Sequence, residues 1–123
     1  MKNRKRVLLI GCIVFGLTIL FIAYIHNRLK SQGILLNAHT LEWGASAKMG
    51  MDLQYEFYYK GKKIIDNNAT GVFRGNRDFE NKYFPVMYDP TFGASELLMT
   101  PTDFEKFNIS FPDSLNWVLP YLK

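Results

Sequence analysis

Nineteen consecutive residues from Val7 to Ile25, VLLIGCIVFGLTILFIAYI, carry no charge, and no other feature limits so tightly what this chain can fold into. Coiled as an α-helix they reach about 28 Å at roughly 1.5 Å per residue, close to the bilayer's hydrocarbon core of about 30 Å. A helix packed against a small domain keeps one polar face, and this run has none. Lipid offers the backbone no hydrogen-bond partner, so a lone span must be helical. Tyr24 and His26 fall at its far boundary, where rings with one wet end are at ease.

Two other uses of the run compete with a permanent anchor. A cleavable export signal has an apolar stretch of about 7–15 residues and a small-x-small site, whereas YIHNRLKSQG follows here, bulky and basic. Leu9-Ile10-Gly11-Cys12 resembles a bacterial lipobox, but the apolar stretch lies mostly after the cysteine instead of before it. An uncut transmembrane helix over 7–25 is therefore expected, making lipid the first partner. Four basic residues, Lys2, Arg4, Lys5 and Arg6, precede it, and Arg28 and Lys30 follow. By the positive-inside bias, 1–6 is a cytoplasmic flank, 26–33 a short linker and 34–123 an extracytoplasmic domain. The expected location is the cell membrane, single-pass. Cys12-x-x-x-Gly16 is a small-xxx-small spacing that can support weak homodimerisation.

The pI near 9.2 comes from those flanks. Residues 1–30 hold six Lys/Arg and no acid, whereas 31–123 hold nine against eleven Asp/Glu. The folded part is thus mildly acidic, which argues against a nucleic-acid surface. Cys12 is the sole cysteine, which leaves the domain without a disulfide or a cysteine zinc site.

In MDLQYEFYYKGKKIID, Leu53, Tyr55, Phe57 and Tyr59 alternate with Asp52, Gln54, Glu56 and Tyr58, so a strand with one wet face is expected. Lys60-Gly61 supplies a hairpin turn and Lys62–Asp66 the return strand. Ile34–Trp43, Val72–Phe73 and Glu96–Met99 read as further strands. In YFPVMYDP, Phe84, Val86 and Tyr88 share a face, and Pro85 restricts that strand to an edge or to the start of a ladder. Thr100 with Pro101 and Asp103 starts a short helix carrying Phe104 and Phe107. Leu115, Val118 and Leu119 mark another turn before Pro120. The fold class expected is an N-terminal transmembrane helix, then a small, mainly antiparallel β domain with one or two short C-terminal helices.

Tyr55-x-Phe57-x-Tyr59-x-Gly61-Lys62, Tyr83-x-x-Val86-x-Tyr88-Asp89-Pro90 and Ser95-Glu96-Leu97, with TPTDFEKFNISFPDSLNWV after them, resemble uncharacterised single-pass envelope proteins of Bacteroidetes type. The likeness covers about residues 50–118. It implies a small β domain in a bacterial envelope and brings no catalytic residues with it.

No chemistry announces itself. His39 could meet Glu42 or Asp52 only without recognisable metal-ligand spacing, so no metal or other cofactor is expected. The GAS tripeptides at 44–46 and 93–95 lack a nucleophile-elbow context. The carboxylate pairs Asp78/Glu80 and Asp103/Glu105 read as solvated surface rather than as two groups facing each other across a cleft. A non-enzymatic binding module, an accessory subunit with a membrane or envelope protein partner, is the expected function. A membrane-anchored carboxylate hydrolase of envelope polymers and an immunity-type protein are the alternatives. Tyr58, alone among the hairpin aromatics on the polar face, and Arg74, Arg77 and Phe79 on a Gly-flanked loop form the candidate interaction surface.

Overall fold

A computed structural model of the chain describes residues 2–45, 51–68 and 73–122. Helix α1 (Lys2–Gln32) leads into β1 (Ile34–Ala45), β2 (Met51–Tyr59) and β3 (Lys62–Asn68). A short 3-10 turn (Arg77–Phe79) precedes β4 (Tyr83–Asp89) and β5 (Ala94–Leu97). Helix α2 (Pro101–Lys106) and a 3-10 segment (Asp113–Leu122) complete the chain. The architecture is the expected one: a long apolar helix, then an antiparallel sheet, then short C-terminal helices. The helix is long and apolar enough to span a membrane, and its apolar window is not covered by the rest of the chain.

Residues 26–33, expected as a short linker, are mostly helix. The helix continues through Gln32, and Gly33 alone separates it from β1. Gly33 N–H bonds the Leu29 carbonyl at 3.1 Å, and a Cβ on Gly33 would collide with that oxygen. Glycine is what lets the chain leave the helix so abruptly.

The strands lie in the order β3-β2-β1-β4-β5, every neighbour antiparallel. Period-two alternation puts Leu53, Tyr55 and Phe57 of β2 on the same face as Ala38 and Thr40 of β1 and Phe84, Val86 and Tyr88 of β4, all buried. The register between β1 and β2 slips between Thr40 and Trp43, so that Trp43, not Glu42, faces Leu53. One extra residue in a strand sharpens its bend and twist. The sheet curls until its two edges touch: Ser95 Oγ of β5 donates to the Asp66 carboxylate of β3. Tyr55, whose hydroxyl lies 2.6 Å from Ser95 Oγ, extends this chain into the interior. Burial, then the Asp66 charge, push the Tyr55 hydroxyl well above the usual phenol range.

Pro85 sits on an interior strand, not an edge. The Pro85 carbonyl accepts from Leu98 N–H at 2.8 Å, one step beyond the Val86–Leu97 pair. In an antiparallel strand a residue's N–H and C=O point to the same side, so the missing donor falls where the β4–β5 ladder begins. Phe73 lies in a turn, not a strand, and Val72 is outside the described residues. Phe73 stacks on Phe79 with ring centroids 4.0 Å apart, and Phe84, Trp117 and Tyr121 close around Phe79. The C-terminal segment is 3-10 with Leu115 and Val118 buried, while Leu119 is exposed. Helix α2 starts with the expected cap, Thr100 and Asp103 each accepting from the other's backbone N–H.

Candidate functional site

The sheet has a second, outer face, and α1 covers only part of it. Leu29 is buried against the β4 side, where Met87 is also buried. Arg28 Nε donates to Asp89 Oδ2 at 2.9 Å, and Asp89 is only 1% exposed. A second guanidinium nitrogen reaches Thr91 Oγ1 at 2.8 Å. Helix and domain are thus fastened by a mostly buried, charge-assisted bond.

Beyond this junction the outer face of β3, β2, β1 and early β4 stays open. One row across it is set by register: Ile65 opposite Glu56, Glu56 opposite His39, His39 opposite Tyr83. Glu56 sits between two nitrogens, with Lys63 Nζ 2.9 Å from one oxygen and His39 Nδ1 3.3 Å from the other. The Lys63 ammonium first, and then His39, hold the Glu56 carboxyl below the usual range, and Lys63 is raised in return. His39 Nε2 lies 2.5 Å from Asn81 Oδ1, and its ring stacks on Tyr83 at 4.9 Å. With one nitrogen facing a carboxylate and the other an amide oxygen, the imidazole donates on both sides when protonated. Around this polar centre Leu35, Tyr58, Ile65 and Tyr83 are 51, 61, 56 and 64% exposed. Exposed apolar side chains and a charged cluster thus share one uncovered face of the sheet.

The residues expected to form the interaction surface are not brought together. Tyr58 belongs to this open face, beside Lys63. Arg74 and Arg77 are exposed at the opposite end of the sheet, and the Arg77 Nε is 4.0 Å from a Glu80 oxygen. Phe79 is no recognition residue: it is fully buried, the centre of the aromatic cluster. A position just after two arginines on a Gly-flanked loop resembled a tip; the aromatic residues 38 and 42 positions later in the chain, Trp117 and Tyr121, turn it into core. The open-face row was missed, although the two-residue hairpin turn already implies that Glu56 faces Ile65 and Tyr58 faces Lys63.

Three of the four carboxylates weighed for hydrolysis have structural work, and the fourth, Glu105, is exposed on α2. Asp103 accepts from Met99 and Thr100 N–H at 3.0 Å each. Asp78 accepts from the Tyr121 hydroxyl at 2.8 Å, which raises that phenol. Glu80 receives the Trp43 N–H at 3.4 Å and shares with Glu42 a hollow of about 370 Å³ beside Trp43 and Arg77. A second cleft of about 310 Å³ lies between α1, β3 and β5; its one carboxylate, Glu96, is paired with Lys106 Nζ at 2.6 Å. Among the described residues no three His, Cys, Asp or Glu stand close enough to hold a metal ion. On the α1 surface Cys12 is exposed, and a Cβ at Gly16 would meet nothing within 4 Å. Compared with protein families, with curated proteins and with solved structures, the chain matches none.

Proposed function

We propose that the protein is a single-pass membrane-anchored interaction module that presents the open face of its sheet to a membrane or envelope protein partner. The observation that carries this reading is the row Ile65–Glu56–His39–Tyr83 with Tyr58 and Leu35 about it, an uncovered apolar rim around a charged centre. Such a surface offers aromatic anchors and an orienting ion pair together. In this reading α1 stays uncut, the N-terminus is cytoplasmic, as the four basic residues before Val7 favour, and the domain works outside the cytoplasm. A bacterial envelope, the setting that the motif resemblance implies, fits a domain held directly on the end of its anchor. Pairing of two anchors through Cys12 and Gly16 belongs to the same proposal as a weak secondary contact.

A photo-cross-linking amino acid at Tyr58 or Tyr83 of the full chain, expressed in its own cells, is expected to give one discrete protein adduct. The same probe at Ser114, exposed in the C-terminal segment, should give none. Equal or no cross-linking at all three positions would sink the reading. An immunity-type role differs only in the identity of the adduct. The hydrolase alternative, weighed on Asp78/Glu80 and Asp103/Glu105, would instead have to use Glu80 with Glu42, which share the hollow beside Trp43; cleavage of an envelope polymer by the full chain, lost in Glu80→Gln, would favour it. A reporter enzyme fused after Lys123 that is active only in the cytosol would reverse the orientation.

A further inference from the structure

We infer that the sheet end nearest α1 is a membrane-contacting foot: Phe92 enters the lipid interface and Lys60 and Lys62 meet anionic headgroups of the bilayer that α1 crosses. This rests on the proposed reading of α1 as a span.

Topology places the foot. β2 and β4 are both antiparallel to β1, so they run the same way. The turns that end them, Lys60-Gly61 and Pro90–Gly93, therefore lie at one end of the sheet. That is the end where β1 begins, directly after α1. The depth of the foot follows from α1 itself. Phe92 packs edge-on against Phe21 and Tyr24, with centroids 6.3 and 5.9 Å apart. Both of those residues belong to the charge-free run that must fill the hydrocarbon core. A ring lying beside them, itself 43% exposed, faces lipid rather than water. Arg28 stands over the same ring, its guanidinium carbon 5.2 Å from the centroid, which sets an arginine at headgroup level directly above the apolar contact.

Charge identifies what the hairpin tip meets. Among the described residues Lys63 is paired with Glu56, while no ion pair joins Lys60 or Lys62. Two lysines free of acidic partners on a tip that points at the bilayer complement anionic lipid. The backbone adds an independent sign. Lys60 takes φ +50 and Gly61 φ +78, a turn whose first position favours Asn, Asp or Gly, and lysine there is held in a disfavoured conformation. Strain of this kind at an exposed position points to use of the side chain.

The test uses the full chain carrying Cys12→Ser, reconstituted in phosphatidylcholine vesicles with or without phosphatidylglycerol. An environment-sensitive fluorophore is attached in turn at Phe92→Cys, Lys62→Cys, Arg77→Cys and Leu17→Cys. Lipid-borne nitroxides are expected to quench positions 17, 92 and 62 but not 77. Phosphatidylglycerol should further shield position 62 from the neutral aqueous quencher acrylamide, and Lys60→Glu, read at the 62 label, should abolish that shielding while leaving position 92 quenched. Each lysine at an anionic surface is worth about five-fold in partitioning, so an effect of that order is the one to look for. If 17 is quenched while 92 and 62 resemble 77, α1 spans and the foot is wrong. If 17 is not quenched, both readings fall. Shielding of 62 that ignores phosphatidylglycerol overturns the headgroup contact.

Discussion

Single side chains divide sharply here between those that hold the domain together and those free to act. Phe79, read from the sequence as a surface residue, lies in contact with Phe73, Phe84, Trp117 and Tyr121. Truncating so large a buried ring removes its transfer free energy and leaves a cavity. Phe79→Ala should therefore lose about 3–5 kcal/mol in chemical denaturation. Arg77→Ala, two residues away at a 93% exposed side chain, should change stability by less than about 0.5 kcal/mol. Glu56 behaves differently because its environment acts on its charge. Lys63 and His39 hold its folded-state pKa below the ordinary value of 4.5, so the stability it adds is fully present above that value. It is lost as pH falls through the lower, folded-state value. Thermal unfolding of the native chain and of Glu56→Gln should differ at pH values above about 4.5. The two curves should converge below it.

Elements whose signals are local were legible, and elements made by distant pairing were not. Alternation over Leu53–Tyr59, the turn at Lys60-Gly61 and the cap at Thr100 each lie within a few residues, and each formed as its pattern implies. The bulge between Thr40 and Trp43 left no such mark, because it depends on how β1 meets β2. The open-face site was half legible: hairpin register predicts Glu56 beside Ile65, but His39 and Tyr83 join only through pairings of β1 with β2 and β4. Of the two places that Pro85 allowed, an edge or the start of a ladder, the fold uses the second: β4 is interior, and the missing donor falls one step before its first pair with β5. The Lys60-Gly61 turn yields a prediction at this scale. Lys60→Asn places a residue tolerant of positive φ where lysine is strained, and should raise stability by about 0.5–1 kcal/mol in denaturation. In the same variant, anionic-lipid shielding of the hairpin tip should weaken. A change that improves the fold and impairs the contact would separate the two demands on one position.

In the whole molecule, helix α1 and the domain are less separable than a helix followed by a linker would be. Sequence punctuation places a boundary near Ile25, where charge-free residues end, yet the last turns of α1 are part of the domain. Leu29 is buried in its core, and Arg28 holds the buried Asp89, whose other carboxylate oxygen receives Thr91 N–H at 3.0 Å. Residues 26–33 read as a short linker in one dimension; only the fold shows that β4 and its turn lie along that stretch. Consequently the place to cut is not where hydropathy ends. A soluble chain beginning at Ala23 keeps Arg28 and Leu29 and should unfold cooperatively. One beginning at Gly33 loses the apolar burial of Leu29, about 1.5–3 kcal/mol. It also strands Asp89 without its cation, which costs about 2–3 kcal/mol for a pair whose arginine is partly in water. Together these losses rival the 5–15 kcal/mol total of an ordinary domain, and this one is small. The shorter chain should show a far lower urea midpoint or no transition at all. Equal midpoints for the two chains would mean that the helix end carries no weight in the fold, and the domain could then swing freely on α1.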